Sequence, residues 1–177
     1  MNEPYTEKLN SMIWNKLTPL CFLLVSCCGK FYNFKGANIP PDIKNFSVEI
    51  FKNEAEIVNP ELANTMTEKL KTKFQQQTSL GLVQDKGDYS FTSIINEYRV
   101  EPASLSPGQG TAQNKFSISV QVDFKCAKYP EKDFSKSYAN FRNFDASEQF
   151  SAVEKNFAEE IADNIIQQIF ADVALDW

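Results

Sequence analysis

The residues with most chemical potential are four cysteines, Cys21, Cys27, Cys28 and Cys126, in a chain of 177 residues that contains no histidine. Without imidazole, Ser-His-Asp and Cys-His nucleophilic catalysis are excluded, as is imidazole ligation of zinc, copper or haem. Three of the cysteines crowd into eight positions, a spacing that fits no usual zinc set and leaves only Cys126 to complete one. The carboxylates offer little more. Asp85 and Asp88 bound a turn and Asp42 follows Pro41, places where acids cap amides or face water. Glu159, Glu160 and Asp163 fall mostly off the apolar stripe of the last helical segment. Asp85-Lys86-Gly87-Asp88 lacks the spacing of a calcium loop, and Gly108-Gln109-Gly110 lacks the lysine and helix of a phosphate loop. A formal charge of −5, with a pI near 4.9, also argues against a nucleic-acid binder. The expectation is a non-enzyme without metal or cofactor.

The cysteine crowding has its own logic. Lys8 and Lys16 precede an apolar run from Leu17 to Val25, interrupted by Thr18 and Pro19, which is too short to cross a bilayer but fits a secretory h-region. The run ends in Leu24-Val25-Ser26-Cys27, which resembles the bacterial lipobox. That resemblance implies cleavage between Ser26 and Cys27 and acylation of Cys27, with Cys28 the second candidate. Each buried CH₂ contributes roughly 0.8 kcal/mol, so two or more acyl chains hold a domain stably on a membrane. Residues 1–26 are then a signal peptide, with initiation at Met1 or Met12, and 27–42 a Gly- and Pro-broken tether. Residues 43–177 make one domain; Cys28 and Cys126 are then the only possible disulfide pair, and the expectation is that both are free thiols or that Cys126 is buried.

The elements of that domain follow from periodicity. Phe46, Val48 and Ile50 alternate with polar residues as a first strand. Asn59-Pro60-Glu61 opens a helix to about Gln77, with Leu62, Met66, Leu70 and Phe74 on one face. Leu80–Val83 and Tyr89–Val100 read as a hairpin around Asp85-Lys86-Gly87-Asp88, with Gly87 available for positive φ and a bulge at Ile94-Ile95. After a polar loop, Phe116, Ile118, Val120, Val122, Phe124 and Cys126 alternate as a half-buried strand. Lys128-Tyr129-Pro130-Glu131 turns the chain into a partner strand carrying Phe134, Tyr138 and Phe141. Ser151 and Glu154 resemble a capping box at the start of a long helix whose rows are Phe157, Ile161, Ile165, Ile169 and Ala158, Ala162, Ile166, Phe170. This order predicts an α+β two-layer sandwich: a mostly antiparallel sheet of four to five strands with two amphipathic helices on one face.

Two aromatic groupings remain. Phe31, Tyr32 and Phe34 sit beside the acylation site, placed either to dip into the membrane interface or to pack on the sheet or a partner. Lys128, Lys132, Lys136 and Arg142 are interleaved with Tyr129, Phe134, Tyr138, Phe141 and Phe144. The plain reading is a strand with a basic outer face. The functional one is a surface for an anionic amphiphile, phosphates on the cations and acyl chains on the rings.

Gly29, Phe31, Phe34 and Gly36, followed by Ile39-Pro40-Pro41-Asp42-Ile43-Lys44-Asn45-Phe46-Ser47-Val48, resemble the opening of LptE-family lipopolysaccharide-assembly lipoproteins. The order of helix, strands, Tyr138–Asp145 and terminal helix with Glu154 is similar too, closest to shorter members from the Bacteroidetes. The resemblance implies a lipid anchor on the periplasmic side of the outer membrane. It also implies a plug role within the LptD β-barrel, help in that barrel's assembly, and contact with lipopolysaccharide. The competing expectation is a free-standing lipoprotein that binds a glycan or another solute.

Overall fold

The computed structural model describes residues 37–57, 59–103 and 112–175. The expected signal segment, Ser26, Cys27, Cys28, the neighbouring aromatics and most of the polar loop lie outside the described residues. The order of elements is β1 (Asn45–Val48), β2 (Lys52–Asn53), α1 (Pro60–Gln77), β3 (Gly81–Leu82), β4 (Tyr89–Pro102), β5 (Gln113–Cys126), β6 (Phe134–Asp145) and α2 (Phe150–Ala174). One turn of 3₁₀-helix, Pro130–Lys132, joins β5 to β6.

Among the described residues six strands form one sheet in the order β3-β1-β4-β5-β6, with β2 also beside β4. The long strands β4, β5 and β6 are antiparallel, whereas β1 runs parallel to β3 and β4, and β2 parallel to β4. The result is an α+β sandwich. Strand alternation explains its two faces. Tyr89, Phe91, Ile95 and Tyr98 of β4, the even residues Phe116–Cys126 of β5, and Tyr138 and Phe144 of β6 are buried together beneath the helices. Their neighbours in sequence point the other way and are mostly serine, threonine, glutamine and charged residues.

The helices run parallel, since Lys69 meets Asp163 at 2.5 Å and Lys73 meets Gln167 one turn further along both. Helix α1 starts where its cap dictates: the Asn59 side chain accepts from the amides of Glu61 (3.0 Å) and Leu62 (3.2 Å). It buries Leu62, Met66, Thr67, Leu70 and Phe74, and Phe74 touches the rings of Phe46, Phe91 and Phe170. Thus one side chain ties α1 to the sheet and to α2. In α2 the small Ala158 and Ala162 alternate with Ile161, Ile165, Ile166 and Ile169, which lets the helix lie close over the sheet.

Four local expectations are corrected. Leu80–Val83 does not form a hairpin with β4, because β1 is inserted between them and the 83–88 segment instead steps across β1. In that crossing the positive φ falls on Lys86 (50°), and Gly87 serves close approach. A Cβ at Gly87 would stand 2.6 Å from both the Ser47 amide nitrogen and the Tyr89 carbonyl oxygen. The first strand ends at Val48, leaving Ile50 65% exposed while Phe51 turns into the core. Ser151 and Glu154 make no capping box: α2 starts at Phe150, one residue before Ser151, after Gln149, with no side-chain cap. The expected bulge is present one position on, between Ile95 and Glu97, and restores Tyr98 to the buried face. Cys126 is free and buried.

Candidate functional site

Strand β6 carries four of the five aromatics and two of the four cations singled out in the sequence, and the flank of α2 lies beside it. Residues on β6 with even numbers share a side with the helices, because Lys136 faces Val122, Tyr138 faces Val120 and Arg142 faces Phe116 across the ladder. Lys136 and Arg142 therefore stand along the seam between β6 and α2 rather than on the open sheet face. Each has a carboxylate partner there. Lys136 Nζ lies 2.5 Å from Asp172, which also accepts the Tyr138 hydroxyl at 2.7 Å, and Arg142 grips Glu160 with two nitrogens, Nε at 2.7 Å.

Charge states follow from these contacts. Burial pushes the Asp172 carboxyl up, but hydrogen bonds from Lys136 and Tyr138 outweigh it and hold the pKa below the ordinary value. Burial first, then the bond to Asp172, drives the Tyr138 phenol far up. The Arg142 hydrogen bond lowers Glu160. Lys128 lies elsewhere, at the β1–β4 end, with Nζ 3.4 Å from Asp88 and bonded to the Asp42 carbonyl. Lys132 belongs to the 3₁₀ turn beside a recess of about 270 Å³ lined by Phe124, Phe134 and Asp172. The four cations thus form no single cluster. Lys136 and Arg142 share one seam, Lys132 borders its start, and Lys128 is set apart.

Asp88 of the turn acts structurally. Asp88 Oδ2 accepts from the amides of Lys44 (2.7 Å) and Asn45 (3.3 Å), while the Asp88 amide donates to Asn45 Oδ1 at 2.7 Å. The Lys44 amide is the main reason its carboxyl titrates below the usual range. Asp42 accepts the Tyr129 hydroxyl at 3.0 Å.

A second feature escaped the sequence reading. Because the helices are parallel, their N-termini lie side by side and frame an open concavity of about 530 Å³. Its wall includes Ile57, Pro60, Leu62 and Ala158, and its rim Glu61, Lys155 and Glu159. Glu154, also in the lining, accepts the Tyr98 hydroxyl at 2.5 Å, and that hydroxyl accepts from the Asn59 amide at 3.2 Å. Burial, then the bond to Glu154, raises the Tyr98 phenol. In the sequence this place was marked by the Asn59-Pro60-Glu61 helix start and by the i, i+3 offset of Ser151 and Glu154, and both read as helix caps.

The open sheet face is polar and finely cross-linked. Ser119 meets Ser137 at 3.2 Å, Gln121 donates to Ser135 at 2.8 Å, and Ser117 donates to Glu97 at 2.5 Å. Phe141, 50% exposed, stands out from this face with Lys115 over its ring. Among the described residues no group of three or more Cys, Asp and Glu could hold a metal ion, and no helix is long and apolar enough to cross a membrane.

Comparison with known proteins places this arrangement. A family model described as LptE, lipopolysaccharide-assembly, matches residues 43–173. Among solved structures, a minor lipoprotein from Acinetobacter baumannii superposes with a TM-score of 0.52 at 13% identity, over 76% of this chain and 94% of that one. An uncharacterized lipoprotein B from Nitrosomonas europaea does so with a TM-score of 0.50 at 14% identity, over 75% and 83% respectively. Both show the fold alone. No curated protein matches the sequence.

Proposed function

The chain belongs to the LptE family of lipopolysaccharide-assembly proteins, and from that premise we propose that it is an outer-membrane lipoprotein acting as plug and assembly partner of an LptD-like β-barrel. The observation that carries the reading is the family match from Ile43 to Val173, which spans every strand and nearly all of both helices. In this reading Cys27, freed by cleavage after Ser26, carries the acyl chains and holds the domain on the periplasmic side of the outer membrane. The domain has the properties a plug needs. One apolar core runs through both layers, and the outer faces are closed by ion pairs and serine hydrogen bonds. Lipopolysaccharide passes the seam where Lys136 and Arg142 stand, with Lys132 and Lys128 beyond, and Lys136, Arg142 and Lys128 each exchange a carboxylate for a phosphate oxygen. Depletion of the protein tests this: surface lipopolysaccharide and the folded barrel should fall together. Unchanged levels of both would reject the reading.

The concavity between the helix N-termini favours the second reading, a free-standing lipoprotein that takes a glycan or other solute there. Saturable binding of such a ligand to protein purified without any barrel supports it.

A further inference from the structure

Strand β6 is the last strand of the sheet among the described residues, and it runs 12 residues without a proline or bulge. Which of its backbone groups face outward follows from the register. The Ala146 amide donates to the Ala112 carbonyl, one step beyond the Gln113–Asp145 pair, so even-numbered residues exchange hydrogen bonds with β5. On the other side of β5, the Ala103 amide donates to Gln113 and the Ala127 amide to Asp88, so odd residues of β5 serve β4. The two ladders agree. The amides and carbonyls of Ser135, Ser137, Ala139, Phe141 and Asn143 therefore point away from the sheet, and the side chains of all five are exposed.

Native edge strands are normally guarded by charge, proline, bulges or brevity. From Ser135 to Asn143 the only charges are Lys136 and Arg142, and both are drawn to the helix side by Asp172 and Glu160. The outward positions carry none.

We propose that the outer edge of β6 is a strand-addition site for an extended segment of the barrel chain; this rests on the plug reading and names the surface that serves it. Backbone groups in this row are complementary to an extended chain and to nothing else of comparable length. The side chains beside the edge define the guest. On the open face Ser135, Ser137 and Ala139 leave room for large apolar residues, whereas the helix face, where Lys136 and Arg142 pair with Asp172 and Glu160, suits polar ones. A strand alternating apolar with polar residues is the pattern of a barrel strand before closure. A second copy fits less well: of the two equally long two-fold pairings, the one centred on Ala139 sets Lys136 opposite Arg142 of the copy, and both join chains that each carry −5.

The test uses full-length, membrane-extracted protein and reads recovered barrel. Ala139→Pro removes an outward amide without touching the β5 ladder, and Ser137→Lys places a charge on the edge. Loss of one hydrogen bond, about 1 kcal/mol, predicts roughly fivefold less barrel with Ala139→Pro at an unchanged melting temperature. Ser137→Lys serves where the proline variant fails to fold and should lower recovery equally. A photocrosslinker at Ala139 should capture the barrel chain, and one at Thr72 on the outer face of α1 should not. Wild-type recovery by both variants, or capture at Ala139 of a second copy, overturns the inference. Recovery of no barrel by the wild type overturns the plug reading itself.

Discussion

Replacement of Gly87 by alanine should unfold the 83–88 crossing, and its magnitude can be worked from the structure. The new Cβ would meet three backbone atoms at once: Ser47 N and Tyr89 O at 2.6 Å and Phe46 C at 2.7 Å. None is the end of a flexible side chain, so β1 and the crossing must separate. Steric insertion into packed structure costs about 1–3 kcal/mol. Separation also weakens the bonds from the Gly87 amide to Ser47 Oγ, the Asp88 amide to Asn45 and the Lys44 amide to Asp88. At about 1 kcal/mol each these bring the loss to roughly 4–6 kcal/mol, a large share of a typical 5–15 kcal/mol stability. Urea unfolding followed by circular dichroism reads it directly, and the melting temperature should fall by roughly 10 °C. A Gly87→Ala variant within about 0.5 kcal/mol of wild type would refute the close-approach role.

Four further outcomes are expected. Asp88 titrates below its unfolded value, so its contribution is complete above roughly pH 4 and is lost as pH falls through the lower folded value. Asp88→Asn should flatten that acid limb of stability against pH, and an unaltered limb would contradict it. Asn59→Ala removes the cap of α1 and should cost about 1 kcal/mol in urea unfolding. Tyr98→Phe leaves Glu154 and the Asn59 amide without the shared hydroxyl and should cost roughly 1–2 kcal/mol by the same measurement. Cys27→Ser should abolish palmitate labelling and move the protein to the soluble fraction, whereas retained labelling shifts the site to Cys28.

The legible parts of the fold were those where one side of an element meets a uniform environment. Strand β5 shows its alternation because its even side is all core, and α1 shows its start because Asn59, Pro60 and Glu61 act locally. What stayed hidden depended on partners distant in sequence. A two-residue strand such as β3 carries no periodicity, so Leu80–Val83 read as half of a hairpin, and only β1, some 35 residues earlier, reveals its parallel pairing. Glu154 read as a cap because its real partner, Tyr98, is 56 positions away. The same applies to the cations. Lys136 and Arg142 were visible as a basic strand, but their partners Asp172 and Glu160 lie on α2, which fixes both on the seam. The concavity between the helix N-termini required knowing that the helices are parallel, a tertiary fact with no local signal.

Affinity purification from detergent-extracted membranes at high salt tests the central claim most directly. The account predicts recovery of one large outer-membrane barrel protein in equimolar amount with the chain. Recovery of the chain alone, from cells in which the barrel is abundant, would contradict it.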